Sequence, residues 1–515
     1  MKLFFKAEGY KKGVAYSILF SSIAKIIAFL NIALIAYYFG TNGDSDVYYF
    51  VLTTIQLISY LISVMESTVI VPELIRLREQ EGHFQSMRFV NHFIKIYLII
   101  GSILTIIMLF NPVFVFSHFS GFKSELLLAN KYLLYGSPIL LLLIILSNLL
   151  SEVLSSYMYF TTPMIVNMIN SIISILFLII LHRHLGIISA LMGLIIGYIV
   201  NIVLLLAQLI YVIHWRFDFS KYKLSPLVKK NLFYAHIGNI LGFAYNYVGL
   251  YLLSFLGTGV VSAMSYGRKL SDVPNHVISG QFSSVLGIKF NNEFARDDKN
   301  SLNETFVTGL KVLLFFVIPV SILGFILSDD IISILLRRGE FNFLSVKQSS
   351  MFFKYLILCL PFFSINTVMS RLFMAIQRLS FSTIILAVFS VSNIILAYFL
   401  IKFYKEYGYP FSYILSYLIM IFSYFYITKK YLKYIGYNEV LIYFIKITCV
   451  NILVAFLSYL ISFHLFDGKF IRILFLSIID VISLILLNDI FVLNYDIRFI
   501  FRNFLHRIYS SVILK

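Results

Sequence analysis

The chain has 515 residues, of which 60% are hydrophobic and only 13% are charged. A soluble domain carries about 25% charged residues, and a mean hydropathy of +0.91 means more apolar surface than a water-soluble core can bury. The net charge of +17 would suit nucleic acid, but basic loops beside anionic lipid headgroups explain it as well. The composition therefore predicts an integral membrane protein with no nucleic-acid partner.

About fourteen apolar stretches follow one another along the chain, each long enough to cross a bilayer as a helix. The predicted fold class is an all-α polytopic membrane protein. The longest hydrophilic breaks, residues 73–89, 216–230 and 291–304, are too short for a folded soluble domain. The predicted spans are residues 13–39, 46–72, 90–116, 128–157, 159–182, 186–214, 231–256, 259–288, 306–328, 346–376, 380–403, 409–430, 438–465 and 471–495.

The charges of the loops predict the orientation in the membrane. When the loops are assigned alternately to the two sides, about twice as many Lys and Arg residues fall on the side that holds both termini. Cytoplasmic loops carry the excess of Lys and Arg. Both termini are therefore expected in the cytoplasm, and the number of spans is expected to be even.

A short internal repeat predicts how the helices are organised. The segment 31–41, which ends in Phe39-Gly40-Thr41, resembles the segment 247–258, which ends in Leu256-Gly257-Thr258, and the two lie six spans apart. Transporters built from two repeated halves bind substrate between them. We predict an N-terminal lobe of six helices in residues 1–215, a C-terminal lobe of six helices in 216–435, and two further helices with a basic tail in 436–515.

Cationic residues inside the spans are candidates for substrate binding. Lys25 lies near the middle of helix 1, where a lysine costs about 2.5–3.5 kcal/mol on insertion scales unless it faces an interior. Asn31 follows on the same helix, and Arg268 and Lys269 are adjacent in helix 8. Cations from two halves around a shared cavity suit an anion such as a diphosphate or carboxylate. The apolar surroundings predict an amphiphile with a charged head.

Acidic residues inside the spans are candidates for gating or coupling. Asp46 opens helix 2, Glu66 lies further along it, and Glu152 lies in helix 4. Glu66 and Glu152 could bind a proton or sodium, or serve as counter-ions for the cations. Asp46 could cap its own helix, a role open also to Asp44 and Ser45.

Signals of catalysis or of a metal site are weak by comparison. The ten histidines show no metal-ligand spacing, and no glycine-rich phosphate loop is present. The pair Asp329-Asp330 could belong to the metal site of a glycosyltransferase, but Arg337 and Arg338 follow closely, which favours solvated loop charge. We predict no catalytic residues, no metal and no cofactor.

Several motifs occur in the order and at the spacing of a known family. They are Phe39-Gly40 followed by Asp46-Val-Tyr-Tyr49, Val71-Pro72, Tyr266-Gly-Arg-Lys-Leu270 with Pro274, Arg338-Gly-Glu-Phe341, and the run from Ser370 to Arg378. With these motifs the sequence resembles the MurJ/MviN lipid II flippases, of the multidrug/oligosaccharidyl-lipid/polysaccharide exporter superfamily. The resemblance covers about residues 10–500.

The resemblance implies two six-helix lobes, a groove for a polyprenyl tail formed by helices 13 and 14, and a central cationic cavity for a diphosphate-sugar head. It places Lys25 and Lys269 on arginines of the family and Asp46 on its aspartate, with Arg268 beside Lys269. Asn31, and Ser59 with Tyr60, stand where the family has further arginines. Because that positive charge is missing, a flippase for another lipid-linked glycan, such as an O-antigen, capsule or exopolysaccharide unit, is the first alternative.

The function expected from the resemblance is transport by alternating access of a polyprenyl-diphosphate-linked saccharide, lipid II, from the cytoplasmic to the outer leaflet of a bacterial cytoplasmic membrane. The protein is expected to act as a monomer among membrane lipids, driven by membrane potential or by a proton or sodium gradient. A drug or cation antiporter of the same superfamily, which would want a mainly acidic cavity, and a membrane-embedded transferase are the alternatives from other classes.

Overall fold

The computed structural model describes residues 10–465, 468–491, 494–495 and 498–499. All regular elements in these residues are helices. Among them, ten helical stretches are long and apolar enough to cross a membrane, and one of these, Leu379–Tyr431, contains two α-helices joined by a short 3-10 turn. The all-α polytopic fold class is confirmed, while the number of fourteen spans stays a prediction.

The chain divides into two compact units, and the first comprises Met1–Ser262 and Arg338–Ser345. A π-helical turn, Glu66–Ile70, joins its second helix to its third without a break. The helices of this unit are α1 (Tyr10–Phe39), α2 (Gly43–Met65), α3 (Val71–Gln80), α4 (His83–Phe110), α5 (Pro112–Phe119), α6 (Ser124–Ala129), α7 (Lys131–Ser156), α8 (Thr161–Leu185), α9 (Ile188–Tyr211) and α10 (Pro226–Leu253).

Small residues allow α8 and α9 to pack closely. A Cβ atom on Gly193 would lie 2.9 Å from the Cα atom of Ser174, and one on Gly197 would lie 2.9 Å from the carbonyl oxygen of Asn170. In a membrane, helices associate through such close backbone approach because lipid provides no hydrophobic drive for association. The two glycines therefore bring α9 against α8 and, through α8, support α1.

The predicted polar break at residues 73–89 is largely helical. The helix α3 continues to Gln80 and α4 begins at His83. Arg76 pairs with Glu73 one turn earlier at 2.8 Å, a spacing that stabilises a solvated helix by a few tenths of a kcal/mol. The polar residues thus extend a helix beyond its apolar part instead of forming a loop.

The second unit comprises Ala263–Arg337 and Val346–Lys515. Its first helix begins in unit 1 and is joined to the next by a second π-helical turn, Asn275–Ser279. Its helices are α11 (Val260–Pro274), α12 (Gly280–Ala295), α13 (Lys299–Ile326), α14 (Ser328–Leu336), α15 (Phe343–Leu356), α16 (Leu360–Ala375), α17 (Leu379–Tyr404), α18 (Gly408–Tyr431), α19 (Tyr437–Leu465) and α20 (Lys469–Phe491).

The two units differ from the predicted lobes at their boundaries. Helix α10, the seventh predicted span, belongs to unit 1, and α19 and α20 belong to unit 2. The two π-helical turns interrupt the second and the eighth predicted spans, six spans apart, and such turns occur often at functional sites. The division into two six-helix lobes and a C-terminal helix pair stays a prediction.

Candidate functional site

Asp46 does not cap its own helix. The cap of α2 is Asn42, whose side-chain oxygen accepts a hydrogen bond from the amide of Ser45 at 2.8 Å. The sequence left this cap open to Asp44, Ser45 or Asp46, and none of the three provides it. Asp46 is only 1% exposed, and its side chain binds the start of another helix.

The carboxylate of Asp46 caps the N-terminus of α11. It accepts hydrogen bonds from the amide of Gly259 and, at 2.7 and 2.8 Å, from the amide and hydroxyl of Ser262. The first N–H groups of a helix have no partner within the helix, and a negative charge there is favoured by the helix dipole. Gly259 adopts a φ of +87°, a conformation that glycine reaches without strain. Asp46 thus fixes the start of α11 to the start of α2.

A second contact in the same unit joins the end of α1 to residues 338–345. The amide of Glu340 donates to the carbonyl of Tyr37 at 2.9 Å, and the hydroxyls of Thr41 and Ser345 are 2.7 Å apart. Gly40 has a φ of +58°, and a Cβ atom there would lie 2.4 Å from the carbonyl oxygen of Glu340. The Phe39-Gly40 and Arg338-Gly-Glu-Phe341 motifs therefore meet, which their separation in sequence gave no means of predicting.

Arg268 is held by an aromatic cradle in unit 2. One guanidinium nitrogen donates to the hydroxyls of Tyr409 and Tyr413 on α18 at 2.7 and 3.3 Å. The guanidinium carbon lies 5.5 Å from the centre of the Tyr413 ring, within cation–π range. Asp272, one turn further along α11, pairs with Arg268, and its carboxylate oxygen lies 3.9 Å from the Nε atom of the arginine. Sequence reasoning missed both tyrosines, because no local pattern distinguishes them from the other 34 in the chain.

Lys269 lies on another side of α11 from Arg268. Gly267 is packed against α15, since a Cβ atom there would lie 2.6 Å from the carbonyl oxygen of Ser349. Successive residues of a helix point about 100° apart, so Lys269 points about 200° from this contact. The side chain of Lys269 is half-buried. The two adjacent cations therefore point in different directions from α11.

The two candidate residues of α1 also differ. Lys25 is exposed. The amide nitrogen of Asn31 donates to the hydroxyl of Ser174 on α8 at 2.9 Å. Lys25 and Asn31 belong to unit 1, and Arg268 and Lys269 belong to unit 2. Their shared role in binding a substrate stays a prediction.

Glu66 is a fully buried carboxyl group in the π-helical turn of unit 1. Its side chain is 0% exposed. The hydroxyls of Ser63 and Tyr97 lie close by, yet among the described residues neither carboxylate oxygen has a hydrogen bond of good geometry. Glu152 is near enough to interact electrostatically, and Asn148 donates to Ser63 at 2.9 Å. The structure thus brings Glu66 and Glu152 together and adds Tyr97, which sequence reasoning missed.

Asp329 and Asp330 do not lie in a loop, contrary to the sequence-based interpretation, although Asp329 is exposed as that interpretation expected. They lie in the first turn of α14. The side chain of Asp330 is 13% exposed and pairs with Arg472 at 3.5 Å, and Asp329 accepts a hydrogen bond from Ser350. These contacts tie α14 to its neighbours in unit 2. Within the described residues no group of three or more His, Cys, Asp or Glu side chains could hold a metal ion.

Comparison with known proteins gives consistent matches. Residues 35–480 match the model of the family "Lipid II flippase MurJ". A probable lipid II flippase MurJ of Borreliella burgdorferi is 26% identical over 450 residues, which cover 85% of this chain and 87% of that protein. One of Buchnera aphidicola is 24% identical over 382 residues, covering 70% of this chain and 72% of that protein.

Solved structures show the same fold. A structure titled as lipid II flippase MurJ in an inward closed conformation has a TM-score of 0.78 at 23% identity and covers 93% of this chain and 98% of that one. An inward-facing multidrug transporter of the MATE family has a TM-score of 0.64 at 15% identity, and the match covers 80% of this chain and 98% of that one.

The fold is that of a multi-pass helical membrane protein that carries charged groups on its candidate spanning helices. Among such proteins, the match over most of the chain decides the family. This chain belongs to the lipid II flippase MurJ family. Lys25 and Asn31 precede the matched residues, whereas the other candidate residues lie within them.

Proposed function

We propose that this protein moves lipid II, a polyprenyl-diphosphate-linked saccharide, from the cytoplasmic to the outer leaflet of a bacterial cytoplasmic membrane. The match of residues 35–480 to the lipid II flippase family carries the proposal. The protein acts as a monomer with both termini in the cytoplasm. The cations Lys25, Arg268 and Lys269 bind the diphosphate as the two units alternate between an inward-open and an outward-open arrangement.

The three cations have different tasks in this mechanism. Arg268 is oriented by Tyr409 and Tyr413, so little side-chain entropy remains to be lost when its guanidinium meets a phosphate. Lys25 and Lys269 act as point charges on flexible stems and follow the diphosphate as it moves. Asn31, fixed through its amide nitrogen to Ser174, keeps a side-chain oxygen that can accept a hydrogen bond from a sugar hydroxyl.

Asp46 gates the outer end. With cytoplasmic termini, the turn between α1 and α2 lies on the outer side of the membrane. Its carboxylate binds the start of α11 through Gly259 and Ser262, and opening on that side requires these hydrogen bonds to break. Hydrogen bonds to a charged group contribute about 1.5–3 kcal/mol, a cost that substrate binding or the membrane potential has to offset.

Glu66 couples transport to a proton gradient. A buried carboxylate without hydrogen bonds of good geometry is costly as an anion, so Glu66 takes up a proton when it is closed off and releases it when water reaches it. Glu66→Gln, which mimics the protonated form, is expected to make transport in proteoliposomes insensitive to a pH gradient. Glu125→Gln, a change at an exposed glutamate of α6, is the control. Unchanged sensitivity of the Glu66→Gln protein would refute this role.

The substrate is tested by complementation in a bacterium depleted of its own lipid II flippase. We expect the native chain and Lys289→Ala, a change at an exposed lysine of α12, to restore growth. The double variant Lys25→Ala, Lys269→Ala is expected to fail although it is expressed and folded. Growth with the double variant would remove the cationic mechanism, and failure of the well-expressed native chain would remove lipid II as the substrate.

The alternatives expected from the sequence are not favoured. The matched family is that of the lipid II flippases, which supports neither a flippase for another surface glycan nor a drug antiporter. The likeness to the multidrug transporter, at 15% identity, is one of fold alone. The cations of α1 and α11 also oppose a cationic drug electrostatically.

A further inference from the structure

A basic groove of about 530 Å³ lies in unit 1, between the middle of α4 and the non-helical segment 212–225. Its basic lining residues are His92 and Lys95 on α4, Lys221 and Lys223 in the segment, and Lys229 on α10. Among the residues that the structure describes, no acidic side chain lines it. Several lysines around one cavity repel each other, so a bound anion would relieve that repulsion.

The segment that forms one wall of the groove is pinned to α4. The indole nitrogen of Trp215 donates to the side-chain oxygen of Asn91, and the amide nitrogen of Asn91 donates to the carbonyl of Arg216, both at 2.8 Å. One turn further along α4, Lys95 donates to the carbonyl of Phe219 at 3.3 Å. Asn91 and Lys95, four residues apart, lie on the same face of α4. The groove is therefore built before any ligand arrives.

Asp218, the acidic residue of the segment 212–225, does not neutralise the positive charge of the groove. Asp218 pairs with Arg88 at 3.2 Å and also accepts hydrogen bonds from the amide and hydroxyl of Ser220. Its charge is thus balanced by an arginine that does not line the groove. The lysines of the groove keep their excess of positive charge.

An apolar strip continues from the groove along α4. Ile96 and Ile99 line the groove itself. Ile99, Ile103 and Ile106 are 48%, 52% and 55% exposed, and a spacing of three and four residues puts them on one face of the helix. This part of α4 belongs to a stretch apolar enough to span the membrane. The groove therefore joins a cationic mouth to a surface suited to an acyl chain.

We propose that the groove binds an anionic glycerophospholipid of the adjacent leaflet. The phosphate lies among Lys95, Lys223 and Lys229, and an acyl chain follows Ile99 and Ile103. Basic pockets at the ends of membrane helices bind such headgroups, with about 1 kcal/mol for each Lys or Arg near the surface. A soluble anion would use the lysines but gain nothing from the apolar strip. The bound lipid would brace the segment that connects α9 to α10.

Native mass spectrometry of the purified full chain tests this proposal. Dioleoyl phosphatidylglycerol is expected to bind more tightly than dioleoyl phosphatidylcholine. The triple variant Lys95→Ala, Lys223→Ala, Lys229→Ala is expected to bind the anionic lipid at least about tenfold more weakly. The matched control carries alanine at Lys289, Lys299 and Lys429, three exposed lysines away from the groove. It is expected to bind as the native chain does.

Three results would overturn the proposal: equal affinity for the two lipids, native affinity in the groove variant, or equal loss in the control variant. Inorganic pyrophosphate distinguishes the lipid from a soluble anion, and displacement of the lipid at equal concentration would count against the lipid. The emission of the chain's single tryptophan, Trp215, checks that each variant is folded. Since the assay contains no lipid II, its outcome is independent of the transport proposal.

Discussion

Replacing Asp46 by alanine should destabilise unit 1 far more than most single changes. The carboxylate is 1% exposed and accepts bonds from two amides and one hydroxyl, those of Gly259 and Ser262. Each buried donor left without an acceptor costs about 1–3 kcal/mol, and water that enters the vacated space recovers part of this. We expect a loss of about 3 kcal/mol in the free energy of unfolding, a factor of about 100 in the equilibrium constant.

Graded variants separate the hydrogen bonds from one another. Asp46→Asn keeps one acceptor oxygen but turns an amino group towards a donor, so we expect about half of the loss. Ser262→Ala removes only the hydroxyl bond, for which about 1 kcal/mol is expected. Asp44→Ala is the control. Asp44 lies in the same helical turn and also accepts a hydrogen bond, from the side-chain amide of Asn130 at 2.7 Å, but it is exposed, so water can replace it as the acceptor.

The assay is a denaturant titration in micelles followed by tryptophan fluorescence. Trp215 is the only tryptophan in the chain, it is 4% exposed, and it belongs to unit 1, so its emission reports the unfolding of the unit that contains Asp46. If Asp46→Ala proved no less stable than Ser262→Ala, the carboxylate would not be the cap that holds α11, and the gating role would fall with it.

Two further predictions concern packing and pH. Gly267→Ala should destabilise unit 2 by about 2–4 kcal/mol, because the new methyl group meets the backbone of α15, whereas Gly242→Ala, at a helical glycine with nothing within 4 Å, should be neutral or slightly stabilising in the same thermal-shift assay. The hydrogen bonds from Ser220, with Arg88 beside it, hold the pKa of Asp218 below its usual range, so its contribution to folding is complete above the ordinary aspartate pKa near 4 and is lost as the pH falls through the lower folded value. Trp215 emission should therefore stay constant from pH 7 to about 5 and change only below about 4. Asp218→Asn should alter this transition, whereas Asp298→Asn, at a similar carboxylate that caps α13, should leave it unchanged. An unaltered transition in the Asp218→Asn protein would contradict the assignment to Asp218.

The charged residues of the candidate site could be predicted from the sequence. A charged residue inside an apolar stretch stands out because the bilayer gives it no solvation, which is why Lys25, Arg268, Lys269 and Glu66 could be named from the pattern alone. Their partners could not be named. The tyrosines that hold Arg268 lie on α18, more than a hundred residues away, and a tyrosine in an aromatic-rich membrane helix carries no local mark of such a role.

Asp46 shows that a local sequence pattern can also indicate the wrong partner for a polar side chain. Locally, an aspartate four residues after Asn42 at the start of a helix resembles a cap, and the sequence offered Asp44 and Ser45 as equals. Only the packed chain shows that Asn42 takes this task and that Asp46 reaches the start of α11 instead. A short polar side chain will satisfy whichever free amides the fold brings near it, and sequence distance does not reveal which those are.

The sequence by itself determined that the protein lies in a membrane and that its fold is helical, because each span must bury its backbone hydrogen bonds within itself and show an apolar surface to lipid. Those requirements are local and can be found residue by residue. The tertiary structure alone decided which residues meet: Asp46 with residues 259–262, Gly40 with Glu340, Arg268 with Tyr409. Such contacts depend on how helices pack, and packing is decided by shape over the whole unit and not by any one segment.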